Sequence, residues 1–145
     1  MIIEVILGFI IAILVLVFVH ELGHFLFAKW TGCRVDEFSV GFPPVLFGKQ
    51  YGETRYVLGS IPIGGYVKIW GENGSEEAQT DPDNPRAFYN RPRWAQAIVL
   101  LGGIIFNVLL AWILFSFLLA VGMETNTERF PNQELSNQEV QVVSF

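Results

Sequence analysis

The sequence predicts a membrane α-helical protein, in which two transmembrane helices are joined by a cytoplasmic connection that carries a small membrane-associated antiparallel β-element. The chain has 145 residues, 52% of them hydrophobic, and a mean hydropathy of +0.43. Two apolar runs, at residues 1–30 and 94–123, are each long enough to cross a bilayer. Eight of the nine basic residues lie between positions 29 and 93, from the end of the first run to the start of the second, so the positive-inside rule predicts a cytoplasmic connection and both termini outside, in the periplasm or the extracellular space.

The first predicted element, residues 1–30, is a transmembrane helix. Between Ile2 and Val19 the only charge is Glu4, and the apolar texture continues almost to Lys29. A signal peptide would open with positive residues before its apolar core, and this chain opens with Met-Ile-Ile-Glu. We therefore expect the segment to stay in the protein as a working membrane helix.

A metal-binding pattern lies inside this first run. The two histidines of the chain are four residues apart, as His20-Glu21-Leu22-Gly23-His24. Residues four apart share one helix face, so the two imidazoles can bind one Zn²⁺, while Glu21 is free to act as a general base on zinc-bound water. The alternative is that both histidines are ordinary helix residues. Their depth in the predicted bilayer favours a functional site, because ionisable groups are costly there.

The connection between the spans contains two unlike pieces. Residues 31–70 carry two strand-like runs, 36–40 and 55–58, bounded by glycines and prolines, which predicts a small antiparallel sheet. Its apolar side chains exceed what so short a sheet can bury, so we expect it to lie against the helices or to dip into the bilayer. Its edge could bind an extended peptide, or the sheet is only a packed connector. Residues 71–93 are expected to form a polar cytoplasmic loop and the entry to the second helix.

The second predicted transmembrane helix covers residues 94–123 and is followed by a periplasmic linker, 124–145. Gly102 and Gly103 allow close approach to the first helix. Asn107 is an amide on an otherwise apolar helix. It either hydrogen-bonds a substrate carbonyl or a developing oxyanion, or it ties the two helices together.

Composition excludes one class of partner. The formal net charge of −5, without interleaved basic and aromatic residues, argues against nucleic acid. Cys33 is the single cysteine, so it forms no intrachain disulfide, and its place just after the first helix indicates a packing residue. The lipid bilayer is the expected partner.

Four motifs, taken in order, resemble the site-2 protease family of intramembrane zinc metalloproteases, and within it the bacterial type that regulates sigma-E. The motifs are His20-Glu21-Leu22-Gly23-His24-Phe25, Phe38-Ser39-Val40-Gly41-Phe42, Ile61-Pro62-Ile63-Gly64-Gly65-Tyr66-Val67-Lys68 and the stretch from Gly103 to Asn107. The likeness covers nearly the whole chain.

The resemblance implies a zinc endopeptidase of the bacterial inner membrane that cuts single-pass membrane proteins such as anti-sigma factors. It also implies that the β-element presents an unwound substrate helix as a strand, and that the asparagine of a Gly-Pro-x-x-Asn motif lies near the substrate. The implied site residues are the zinc ligands His20 and His24, the catalytic base Glu21, and, for substrate binding, Gly64, Gly65, Tyr66 and Asn107.

Two features depart from the family pattern. Ile104 stands where the Gly-Pro-x-x-Asn motif has proline. The family's third zinc ligand is an aspartate on a later membrane helix, and neither predicted span contains an aspartate, although Glu72 is a loop acid that could reach the metal. We therefore expect the chain to be an N-terminal portion, in which residues 139–145 resemble the first strand of a PDZ domain. The alternative function is a non-catalytic membrane module that captures peptides or partner helices through its β-element.

Overall fold

Two long apolar helices dominate the computed structural model of the chain, which describes residues 1–72 and 84–122. Helix α1 covers Ile2–Trp30 and helix α2 covers Arg93–Val121, and each has 29 residues. At a rise of 1.5 Å per residue each is about 43 Å long, which exceeds the roughly 30 Å hydrocarbon core of a bilayer. The predicted linker, 124–145, and residues 73–83 of the predicted polar loop lie outside the described residues.

The two helices run in opposite directions, and their backbones come close together at two glycines. A Cβ atom on Gly23 would lie 2.2 Å from the carbonyl oxygen of Gly102, and one on Gly102 would lie 2.7 Å from that of Gly23. A larger residue at either position would push the backbones apart. Residues 1–12 of the chain and 111–121 of α2 are exposed, so the helices pack together only along part of their length.

Between the helices the chain forms a two-stranded antiparallel sheet, whose strands are β1, Val35–Tyr51, and β2, Thr54–Ile69. Gly52 occupies the tight turn between them with a φ of +60°, a conformation that favours glycine. Together with the two apolar helices, the sheet confirms the predicted combination of elements.

Both strands are longer than the predicted runs, 36–40 and 55–58. The glycines after these runs are expected to end the strands, but in the fold the strands bend at glycines and continue. Gly41 and Gly64 have φ values of +86° and +108° and lie inside β1 and β2. Several register shifts accompany these bends, and the first part of β1 pairs with both halves of β2. The bent sheet therefore extends along α1.

A small core joins the sheet to the helix ends near Trp30. Its buried members are Ala28, Cys33, Val35, Ile69, Phe88 and Val99. Cys33 is 1% exposed and carries no disulfide, which agrees with its interpretation as a packing residue. A short 3₁₀ helix, Phe88–Asn90, leads from this core into α2.

The carboxylate of Glu53, in the turn of the sheet, links that turn to the end of α1 and to the segment before α2. Glu53 accepts a hydrogen bond from Lys29 Nζ at 2.6 Å, and from Arg86 Nη1 and Nη2 at 2.8 and 2.7 Å. Lys29 lies in the last turn of α1, and Arg86 precedes α2. The hydrogen bonds from Arg86 and then Lys29 lower the pKa of Glu53 to about 2.

Candidate metal centre

The helix spacing brings the two histidines of α1 together at their metal-binding atoms. The Nε2 atoms of His20 and His24 are 3.2 Å apart, and the ring centroids are separated by 4.8 Å. Two nitrogens that bind one tetrahedral zinc at 2.0–2.1 Å would be about 3.4 Å apart. The imidazole pair therefore fits two corners of a zinc site.

Helix α2 packs on the two imidazoles through three residues that are spaced one helical turn apart. The backbone carbonyl of Val99 accepts a hydrogen bond from Nδ1 of His24 at 2.8 Å, because a carbonyl oxygen has no proton to donate. This bond fixes the tautomer in which the lone pair of His24 lies on Nε2 and is available to a metal. The next position is Gly103, and the third is Asn107.

Gly103 makes room for the imidazoles. A Cβ atom at this position would lie 2.5 Å from both His20 Cε1 and His24 Nε2. The sequence predicts that Gly102 and Gly103 allow α2 to approach α1 closely. At Gly102 the neighbour is α1 backbone, as in a close helix crossing, whereas at Gly103 it is the pair of imidazoles.

Glu21 lies on a different side of α1, against the sheet. A Cβ atom on Gly65 would be 3.2 Å from Glu21 Cγ, and the carboxylate is within electrostatic range of both His24 and His20. The side chain is half-buried. A carboxylate in this position lies beside the imidazole pair without replacing either ring as a ligand.

The predicted substrate-binding residues of β2 occupy unlike environments. Gly65 adjoins Glu21, and a Cβ there would also lie 2.7 Å from the Ser39 carbonyl oxygen. Gly64 packs on the ring of Phe42, where a Cβ would lie 2.3 Å from Cε2. The hydroxyl of Tyr66 donates to a carboxylate oxygen of Glu37, and its ring stacks on Phe42 with centroids 6.3 Å apart.

An apolar cavity of about 350 Å³ lies between α1 and the sheet. On the helix side it begins at Phe18, one turn before Glu21, and extends towards the N-terminus of α1. Its lining consists of Leu14, Val15, Phe18, Val40, Leu58, Gly59 and Pro62. The cavity is large enough for a bulky aliphatic or aromatic side chain.

Asn107 contacts a histidine rather than open space. Its Nδ2 atom is 3.2 Å from Nδ1 of His20, and its Oδ1 atom is buried without a hydrogen-bond partner in the described part of the chain. The contact joins α1 to α2, as the helix-tying interpretation predicts. It also places the amide at the edge of a candidate metal ligand, which the sequence reasoning did not consider.

A third ligand is not found among residues 1–72 and 84–122, where no three His, Cys, Asp or Glu side chains are grouped to hold a metal ion. Glu72, the loop acid considered from the sequence, is half-buried, and its charge interacts with His24 and Glu21. Burial raises the pKa of Glu72, His24 opposes this effect, and Glu21 adds to it. Glu72 is therefore an acid close enough to interact with His24, and its burial disfavours the charged carboxylate.

The contact that sequence reasoning missed most completely is the Val99 carbonyl. A backbone oxygen carries no residue-type signal, so only the packing of α2 against α1 reveals it. The four-residue spacing of Val99, Gly103 and Asn107 is visible in the sequence. That these three residues face the histidines can be recognised only once the register between the helices is known.

Comparison with known proteins gives a consistent result. Residues 8–143 match the model of peptidase family M50. The chain is 39% identical over 126 residues to a candidate zinc metalloprotease of Brucella suis, 40% over 111 residues to one of Thermotoga maritima, and 41% over 114 residues to one of Chlamydia pneumoniae. These alignments cover 80%, 77% and 74% of this chain, but 33%, 22% and 18% of the relatives. The chain thus spans a third or less of the length of these relatives.

Proposed function

Because this chain belongs to peptidase family M50, the site-2 protease family, we propose that it forms the zinc-binding part of an intramembrane endopeptidase. The observation that carries the proposal is the pair of Nε2 atoms 3.2 Å apart with Glu21 beside them, within an apolar helix. His20 and His24 hold the metal. The third protein ligand comes from outside the residues that the structure describes.

The metal ligands and Glu21 have different roles in peptide hydrolysis. Zinc held by His20 and His24 would supply a Lewis acid and lower the pKa of a water to about 7. Glu21 would act as the general base that accepts a proton from the attacking water and returns it to the leaving amine. Glu21 lies against Gly65, so the base is held between the histidines and the sheet.

The sheet presents the substrate. An extended peptide adds to β2 near Gly64, Gly65 and Tyr66, through backbone hydrogen bonds of the kind that strand addition uses. The contact between Gly65 and Glu21 supports this position, because a strand bound there passes the general base. The apolar cavity that begins at Phe18 accepts an aliphatic or aromatic side chain of the peptide. Asn107, whose amide nitrogen is 3.2 Å from Nδ1 of His20, is the amide proposed to assist at the reacting carbonyl.

The setting is a bacterial inner membrane. Both helices are long and apolar enough to cross it, and the basic residues of the connection favour a cytoplasmic position for that segment. Both termini then face the periplasm. The substrates are single-pass membrane proteins, such as anti-sigma factors, whose helices unwind to pair with the sheet. The names of the relatives favour this enzyme over a non-catalytic binding module.

The test separates zinc binding from catalysis. In the full-length natural protein, Glu21→Gln should retain zinc and lose cleavage of a membrane-embedded reporter by at least about 100-fold, as expected for loss of a general base. Zinc content and reporter cleavage are measured on the same preparation. Glu4→Gln, which changes an exposed carboxylate at the far end of the same helix, is the matched control. Wild-type cleavage by Glu21→Gln would reject the proposal.

A further inference from the structure

We propose that Asn107 is a positioning residue, which holds the His20 imidazole through its side-chain oxygen whenever Nε2 of His20 binds metal. The proposal rests on the proposed function, because it assumes that zinc binds the imidazole pair. It assigns to Asn107 a role towards a ligand of the metal rather than towards the substrate alone.

Each histidine has a polar group of α2 next to its Nδ1 atom. Nδ1 of His24 meets the Val99 carbonyl at 2.8 Å, and Nδ1 of His20 meets the Asn107 amide at 3.2 Å. Val99 and Asn107 lie one helical turn on either side of Gly103, the residue against which both rings pack. Helix α2 therefore supplies one polar group to the outer nitrogen of each ring.

Metal binding at Nε2 decides which atom of the amide must face His20. A neutral imidazole carries one proton, so a lone pair on Nε2 requires the proton to be on Nδ1. Nδ1–H then needs an acceptor, and the amide nitrogen of Asn107 is a donor. The side-chain oxygen is the only acceptor that this amide offers.

A half-turn of the amide satisfies this requirement without moving the backbone. With nitrogen towards His20, Nδ2–H donates to Nδ1, the ring proton lies on Nε2, and Oδ1 is buried without a partner in the described residues. With oxygen towards His20, Nδ1–H donates to Oδ1 and Nε2 is free for the metal. We infer that zinc binding and the second orientation occur together, so the amide acts as a two-position latch on the ring.

Zinc affinity of the full-length protein in detergent, measured by competition with a chelator, tests the proposal. Asn107→Leu keeps the branching at Cγ and removes the acceptor, and it should weaken zinc binding by about 10–100-fold. Asn107→Asp offers only acceptors and should bind zinc at least as tightly as the wild type. Ser116→Ala, on an exposed position of the same helix, is the control. A packing or substrate role for Asn107 would not predict the opposite behaviour of the two substitutions.

The outcomes distinguish this proposal from the one on which it rests. A wild-type protein that binds no zinc would reject the proposed function and the latch together. Wild-type zinc affinity in Asn107→Leu, or equal weakening in Asn107→Asp and Asn107→Leu, would overturn the latch alone. Nitrogen NMR of the zinc-bound wild type provides a reading without any substitution. It should show His20 protonated on Nδ1, and a proton on Nε2 would overturn the proposal.

Discussion

At the scale of single residues, Gly103 determines whether the two imidazoles can lie beneath α2. We expect Gly103→Ala to weaken zinc binding by more than about 10-fold, since the added methyl carbon would lie 2.5 Å from His20 Cε1 and His24 Nε2. Chelator competition measures the effect. Gly8→Ala, in α1, is the control, because its Cβ would meet nothing within 4 Å. Unchanged zinc affinity in Gly103→Ala would mean that the rings do not occupy these positions when metal binds.

The residues of the candidate site differ in how far the sequence can predict them. The spacing of His20 and His24 predicts a shared helix face, because the α-helical period is a local property of the backbone. The partners of their outer nitrogens depend on how α2 is placed against α1. Residue types do not specify that placement beyond the two glycines that permit it. The contact of Asn107 with His20, and the bond to the Val99 carbonyl, therefore required the fold.

At the scale of elements, the Glu53 cluster ties three segments together: the end of α1, the turn of the sheet and the approach to α2. The unfolded pKa is near 4.5 and the folded pKa is about 2, so the folded state favours the carboxylate. The stabilisation is complete above about pH 4.5 and is lost as the pH falls towards 2. Because the side chains are partly exposed, we expect a contribution of about 1 kcal/mol or less.

Thermal unfolding in detergent over this pH range tests the cluster. Glu53→Gln should unfold at a lower temperature than the wild type at pH 6, and the difference should vanish near pH 2. Glu4→Gln, whose carboxylate is exposed and contacts the terminal amino group, should follow the wild type above pH 5. A Glu53→Gln protein that matches the wild type at every pH would show that the cluster does not stabilise the fold.

The helices and strands also differ in how well the sequence predicts them, because some of their features are local and others depend on tertiary contacts. Apolar runs long enough to span a bilayer predict both helices, because length and hydropathy suffice for that inference. The extent of the strands is harder to predict, because glycines such as Gly41 and Gly64 usually indicate that a strand ends. In the fold their positive φ values bend continuous strands, and the bent sheet packs on α1 through Gly65 and Phe38.

At the scale of the whole molecule, one end of the sheet is apolar and the other is polar. Leu46 and Tyr51 are both on β1 and are 68% and 77% exposed. Leu46 lies among apolar side chains, towards the part of the sheet that packs on Phe18, whereas Tyr51 adjoins the turn held by Lys29. If the sheet enters the bilayer, these two positions differ in their access to water although both are largely exposed in the fold.

Cysteine labelling in intact membranes tests this placement. Tyr51→Cys should react with a membrane-impermeant maleimide applied to the cytoplasmic face, and Leu46→Cys should react only after detergent is added. Cys33 is 1% exposed and should give little background. Equal labelling of both positions in intact membranes would place the sheet in water. Labelling of Tyr51→Cys from the opposite face alone would reverse the proposed orientation.

The crossing at Gly23 and Gly102 has a mechanical consequence. The helices touch near this point, and residues 1–12 and 111–121 are exposed, so a tilt of the exposed part of α1 against α2 would pivot near the crossing. His20 is three residues from Gly23, and a 10° tilt would displace it by less than about 1 Å, whereas Ile2 at the end of the lever would move by about 5 Å. Changes in bilayer thickness that tilt the helices would thus leave the imidazole pair nearly undisturbed.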